Sequence, residues 1–183
     1  QYIWGESGYS NTSVAHTLSQ YDFRFFTFRD DVKVLDHDGN DHTFKLRNVN
    51  YYKIDNSNKL EFGFDVKHIR TDYNNYYGPF QDPLGNAIDE FTVKDDINAT
   101  KMQGFLSYTW KPFSKFTIVP GARFGYYTYN ENMNIEPRLS LSYQLSDLTA
   151  INLSGGIFHQ NLPLVLLAQN ENNKNLKDPV AYH

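Results

Sequence analysis

The chain has 183 residues, a formal net charge of -4 and no cysteine, with a mean hydropathy of -0.61. No run approaches the ~18 to 20 apolar residues of a membrane helix, which excludes a helical membrane protein. Without cysteine there is no disulfide framework or thiolate site, and no basic stripe marks a nucleic-acid surface, so no nucleic-acid partner is expected. Aromatic residues make up 16% of the chain. That abundance without long apolar runs suits either an all-β soluble protein or a barrel whose apolar residues alternate with polar ones.

In chain order, Gln1-Tyr2-Ile3-Trp4 lacks the charged and apolar regions of a signal peptide. Further on, Tyr21, Phe23 and Phe25 alternate with Asp22 and Arg24. Residues 30–41 read as a long polar connection, and Asp36-His37-Asp38-Gly39-Asn40-Asp41-His42 as a solvated hairpin tip. This patch departs from a calcium loop, with glycine fourth instead of sixth and Arg47 where the twelfth residue should be Glu. No metal and no cofactor is expected. The register of Thr43 to Ile54 stays undecided between the two faces.

From Leu60 the alternation is clean: Leu60, Phe62, Phe64 and Val66 oppose Glu61, Gly63, Asp65 and Lys67. Met102, Leu106, Tyr108 and Trp110 oppose Lys101, Gln103, Ser107 and Thr109, with Phe105 out of phase. Phe116, Ile118, Ala122, Phe124 and Tyr126 oppose Thr117, Gly121, Arg123 and Gly125. Ile135, Pro137, Leu139, Leu141, Tyr143 and Leu145 oppose Glu136, Arg138, Ser140, Ser142, Gln144 and Ser146. Ile151, Leu153 and Ile157 continue the series, and the end from Pro179 reads as a strand just beginning. Both termini lead us to expect an internal stretch of a longer protein.

Connections alternate in length. Tight turns at 55–59, 111–115 and 145–148 are separated by polar connections at 73–98, 130–134 and 161–178. Short turns on one side and longer loops on the other form the outer-membrane barrel pattern. Strands at about 59–72, 99–111, 116–129, 135–145 and 149–160 then run up and down in consistent order. Trp110, Phe113, Phe116 and Tyr143 lie near the short turns, and Tyr126, Tyr127 and Tyr129 near the loops, as two aromatic girdles would. The fold expected is all-β, about eight antiparallel strands from a larger transmembrane barrel.

Specific runs carry a family resemblance. Ile118-Val119-Pro120-Gly121-Ala122-Arg123 followed by Tyr126-Tyr127 resembles the "PGxRxxYY" strand of TonB-dependent receptor barrels. Ile135 to Tyr143 is similar to that family's "PRLSLSY" strand, Gly155 to Gln160 with Pro163 to its "SxGxxxQxP" segment, and Leu60 to Asp65 to its "LxFGxD" strand. The resemblance covers roughly residues 20–183. It implies that residues 1–183 belong to the barrel domain of about 22 strands, with the plug, TonB box and closing strand lying outside this sequence. It further implies energised uptake of a scarce ligand (siderophore, cobalamin or glycan) across the bacterial outer membrane. The partners implied are outer-membrane lipid, the TonB system acting through a plug, a small-molecule or glycan ligand, and an accessory surface lipoprotein. Pro120, which removes a ladder donor, counts against its strand on first principles.

Asp65, Lys67, Arg123, Glu136 and Arg138 fall on the face that would line the lumen. They would line a substrate path, meet a plug, or pair with one another across strands. The aromatic and amide-rich loop from Tyr73 through Tyr76 and Tyr77 to Phe80 suits stacking against a sugar or siderophore, and equally an ordinary surface loop. No spacing singles out a catalytic trio, and no enzyme activity is expected. Two other readings stay open: a small complete eight-stranded barrel with a structural or adhesion role, and a soluble β-sandwich binding module.

Overall fold

The computed structural model describes residues 1–27 and 32–183. Strands β1 (Tyr2–Ile3), β2 (Gly8–Phe26), β3 (Lys33–Lys53), β4 (Asn58–Tyr77), β7 (Phe91–Phe113), β8 (Phe116–Tyr127), β9 (Asn132–Ser146), β10 (Thr149–His159) and β11 (Val180–Tyr182) form one sheet in that order. A two-stranded ribbon, β5 (Phe80–Gln81) with β6 (Ala87–Ile88), decorates the β4–β7 connection. One short helix, α1 (Leu164–Ala168), and a 3-10 turn over Glu171–Asn175 lie between β10 and β11. The architecture is all-β, and every strand pair is antiparallel.

Among the described residues nine strands form the sheet, with β1 and β11 at its two edges. A β-sandwich needs two sheets packed face to face; here the large sheet is a single layer. Its register places the apolar stripes of neighbouring strands side by side. Leu60 faces Tyr108, Phe62 faces Leu106 and Val66 faces Met102; Ile118 faces Leu141, which faces Leu153. Much of this stripe is open: Leu106 is 51% exposed, Ile135 64% and Leu153 66%, whereas Leu60, Phe62, Ile118 and Leu141 are half-buried. Pro120 sits within β8 opposite Leu139.

Several strands run well past their expected ends. β8 and β10 have 12 and 11 residues, close to the alternation read from sequence. β3, β4 and β7 run to 21, 20 and 23 residues. The cause is a change of phase. Along β4, Leu60, Phe62, Phe64 and Val66 are followed on the same face by His68, Arg70, Asp72 and Asn74. On the opposite face, Asp65 and Lys67 give way to Ile69, Thr71 and Asn75, the last two buried. β7 reverses likewise, from Gln103 and Lys101 to buried Ala99, Ile97 and Val93. A constant apolar face therefore stops near residue 68, whereas the strand continues.

The expected hairpin tip at Asp36–His42 is corrected for the same kind of reason. These residues lie inside β3, paired with β2 on one side and β4 on the other. Gly39 is a seat, not a turn: a Cβ there would stand 2.5 Å from the Tyr21 hydroxyl. The connection expected at 30–41 lies partly outside the described residues; from Lys33 onward it is strand. Tyr73 to Tyr77, expected in a loop, complete β4.

Candidate functional site

The five residues expected to line a lumen do share one face. Asp65 pairs with Gln103, and Lys67 with Lys101. Gln103 continues to Gly125 and Phe105 to Arg123; Arg123 faces Glu136, and Gly121 faces Arg138. This is the face opposite the Leu60–Val66 stripe, because residues paired directly across strands point the same way and neighbours in sequence point oppositely.

Glu136 anchors one end of this face. It is 7% exposed, takes a 2.6 Å ion pair from Arg138, and accepts the His159 backbone N–H at 3.0 Å. The Arg138 guanidinium lies 4.6 Å from the centre of the Phe158 ring. At the other end Lys45 reaches Asp65 at 3.0 Å. Between them Lys45, Lys67 and Lys101 form an unbroken row across β3, β4 and β7. Lys101 stands over the Tyr127 ring, 4.3 Å from its centroid. Lys101 and Arg123 also help line a small polar cavity of about 20 Å³ with Gln103, Asn134, Glu136 and His159, room for about one water.

Above this charged strip the β10–β11 connection folds over the same face. Leu167 of α1 is fully buried against Ile97, Ala99 and Tyr127, with Tyr21 and Tyr129 beside them. The chain is pinned at its return by Asp178, whose Oδ2 accepts from Asn134 at 2.7 Å and from Asn161 at 2.6 Å. Asn132 donates to the Leu176 carbonyl at 3.2 Å, and Lys174 lies 5.3 Å from the Tyr129 ring centroid. Tyr127 and Tyr129, expected in a girdle facing outward, serve this inner cluster instead; Tyr127 lies on the polar face and is 1% exposed.

The aromatic candidates of the β4 end are divided between the two faces. Tyr76 donates to Glu90 at 2.6 Å. Tyr77, on the opposite face, stacks on Phe91 at 4.8 Å and meets His37 edge-on at 5.0 Å. Phe80 tilts against Phe91 at 6.5 Å and is 48% exposed. Tyr73 is placed by its backbone in β4 opposite Gly39. Beyond the apolar stripe, Asp38, Asn40, Asp72, Asn74, Lys94 and Asp96 line an open cleft of about 450 Å³. Among the described residues no cluster of His, Asp or Glu could hold a metal ion.

Sequence reasoning missed Lys45 and Asp178 as members of this site. Lys45 lay in the segment of undecided register, because the stripe side of β3 carries Asn48 and Asn50 among Phe44, Leu46 and Tyr52. Those amides are satisfied locally: Ser10 donates to Asn50, Asn50 to Asn48, and Asn48 to Thr12 at 2.8 Å. Asp178 had no signal at all, since its role depends on the return of a loop.

No protein-family model matches the chain, and no curated protein matches it. Among solved structures it is similar to the outer membrane transporter YddB from Escherichia coli, with a TM-score of 0.52 at 14% identity over 85% of this chain. The likeness establishes the fold. It is that of a barrel wall. The chain spans 24% of the YddB chain, so it corresponds to about a quarter of that molecule.

Proposed function

We propose that this chain is part of the wall of a bacterial outer-membrane transporter barrel of the TonB-dependent kind. The observation that carries the reading is the confined apolar band. One face of the sheet is apolar only on the side of the short turns, and its polarity reverses where the long strands continue. A tilted strand needs about 9–11 residues to cross the hydrocarbon, close to the lengths of β8 and β10. The roughly ten further residues of β4 and β7 then stand in water outside the cell, where the outward side is charged and the inward side packs under α1. A lipid-facing band with a polar interior is the pattern of large barrels.

The similarity to an outer membrane transporter supports transport across that membrane. TonB dependence rests on the order of the receptor-like strand motifs. A plug engaging the TonB system, a surface lipoprotein partner, and a siderophore, cobalamin or glycan cargo follow from the same resemblance. The open sheet, in which β1 and β11 are edges, disfavours a small closed barrel.

Intact mass of the native polypeptide, extracted in detergent from the outer-membrane fraction, tests this. A mass roughly three to five times that of this stretch suits a plugged barrel of about 22 strands. A mass near 21.3 kDa, or recovery outside the outer membrane, would refute the proposal. Ligand uptake should also stop when the inner-membrane proton gradient is dissipated; persistence would remove TonB dependence alone.

A further inference from the structure

We infer that the lysine row on the inward face, centred on Lys67 and Lys101, is a binding seat for an anionic small molecule bearing carboxylate or phosphate groups. The inference rests on the barrel reading for its access route, and on the geometry of the row for its chemistry.

Lys45, Lys67 and Lys101 are directly opposed on three adjacent strands. Directly opposed side chains sit only ~4.5–5.5 Å apart at Cβ, and like charges there are unfavourable. The nearest other cations of this face have a carboxylate on their own or a neighbouring strand. Lys45 reaches Asp65 at 3.0 Å and Arg138 reaches Glu136 at 2.6 Å, whereas Arg47 and Arg123 lie across the register from Asp65 and Glu136. Lys67 and Lys101 make no ion pair within 4.0 Å among the described residues. Asp41 and Asp178 act on them only at longer range. Positive charge is therefore left over here, as it is at Lys53 opposite Lys59 near the short turns, but here both side chains are half-buried whereas Lys53 is exposed.

The surroundings suit an anion that arrives from outside. Tyr127 supports Lys101 from below its ammonium, which limits the directions that ammonium can take. α1 covers Tyr127, at the Lys101 end of the row, lowering there the exposure to water in which opposite charges are screened. An ammonium binds carboxylate or phosphate as a point charge, so two on adjacent strands would favour a ligand with at least two anionic groups.

The test is calorimetric titration of the full native polypeptide in detergent with citrate and with pyrophosphate, at low and at high salt. Binding of either at low salt, weakened by salt, is expected. Lys67→Gln with Lys101→Gln should weaken it at least tenfold, while Lys67→Arg with Lys101→Arg retains it. Lys94→Gln, on the opposite face, should leave it unchanged. The inference is overturned if neither anion binds the wild-type protein, if the paired Gln variant binds as tightly, or if Lys94→Gln loses binding equally. Heat-modifiable migration on gels keeps the two readings apart. A protein that migrates as a folded outer-membrane barrel but binds neither anion sinks only the anion seat. One that never enters the membrane fraction sinks the transporter.

Discussion

At the scale of single residues, two glycines explain aromatics that look misplaced. Phe105 breaks the alternation of β7 because its ring lies on Gly63 of the paired strand; a Cβ there would stand 2.9 Å from the ring. Tyr21 lies on Gly39 in the same way. Bare backbone gives an aromatic ring a flat apolar surface within an otherwise polar face. Gly63→Val should therefore cost ~1–3 kcal/mol through overpacking, measured by denaturant unfolding in lipid vesicles; a change within error would contradict the seat. Asp82 makes a second prediction. Asn86, through its side chain and then its backbone N–H, together with the N–H of Leu84, holds the Asp82 carboxyl below its ordinary value of 3.8. A depressed carboxylate stabilises the 82–86 turn above that ordinary value, and the stabilisation is lost as pH falls through the depressed one. The amide resonances of Leu84 and Asn86 should titrate with a midpoint below 3.8. A midpoint above it would reverse the sign.

At the scale of elements, the clearest statement concerns β9. Leu141 sits mid-strand in the apolar stripe and Ser142 on the polar face. Leu141→Arg should cost ~2–4 kcal/mol in lipid and Ser142→Arg much less, read from unfolding in vesicles; equal costs would mean that the facing is wrong. The β10–β11 connection depends on Leu167, which is fully buried. Leu167→Ala should cost ~2–5 kcal/mol of local stability and open Lys174 and Lys177 to trypsin. Unchanged cleavage would show that α1 is held by something else, such as the Asp178 bonds. These elements were not equally legible. β8, β9 and β10 were read nearly to their ends because each keeps one apolar face throughout. β3 was not, because Asn48 and Asn50 interrupt its stripe and Asp36 to His42 are polar on both faces. The polar residues Asp65, Lys67, Arg123, Glu136 and Arg138 were placed on a common face by parity alone; Glu136 and Arg138 pair with one another, whereas Lys45, the partner of Asp65, was invisible.

At the scale of the whole molecule, a single sheet with an open apolar face and two unpaired edges has no complete core. Exposed apolar area of this kind and free strand edges favour association. Residues 1–183 expressed alone should aggregate in water and remain dispersed only in detergent or lipid. A monomeric, cooperatively unfolding species in plain buffer, seen by sedimentation and circular dichroism, would argue against a lipid-facing surface. Long strands standing beyond the apolar band would also place the lysine row near the depth at which the two polarities change over.

Composition and period by themselves determined that the chain is all-β and antiparallel, and which residues of each regular strand share a face. Those properties are local: side chains alternate with period two, and short turns join antiparallel neighbours. Tertiary structure alone decided how far the strands run, that polarity reverses along them, and that Lys45, Lys67 and Lys101 meet in one row. Each of these depends on register between strands or on the return of a loop. Register joins residues that are tens of positions apart, and no period within one strand records it.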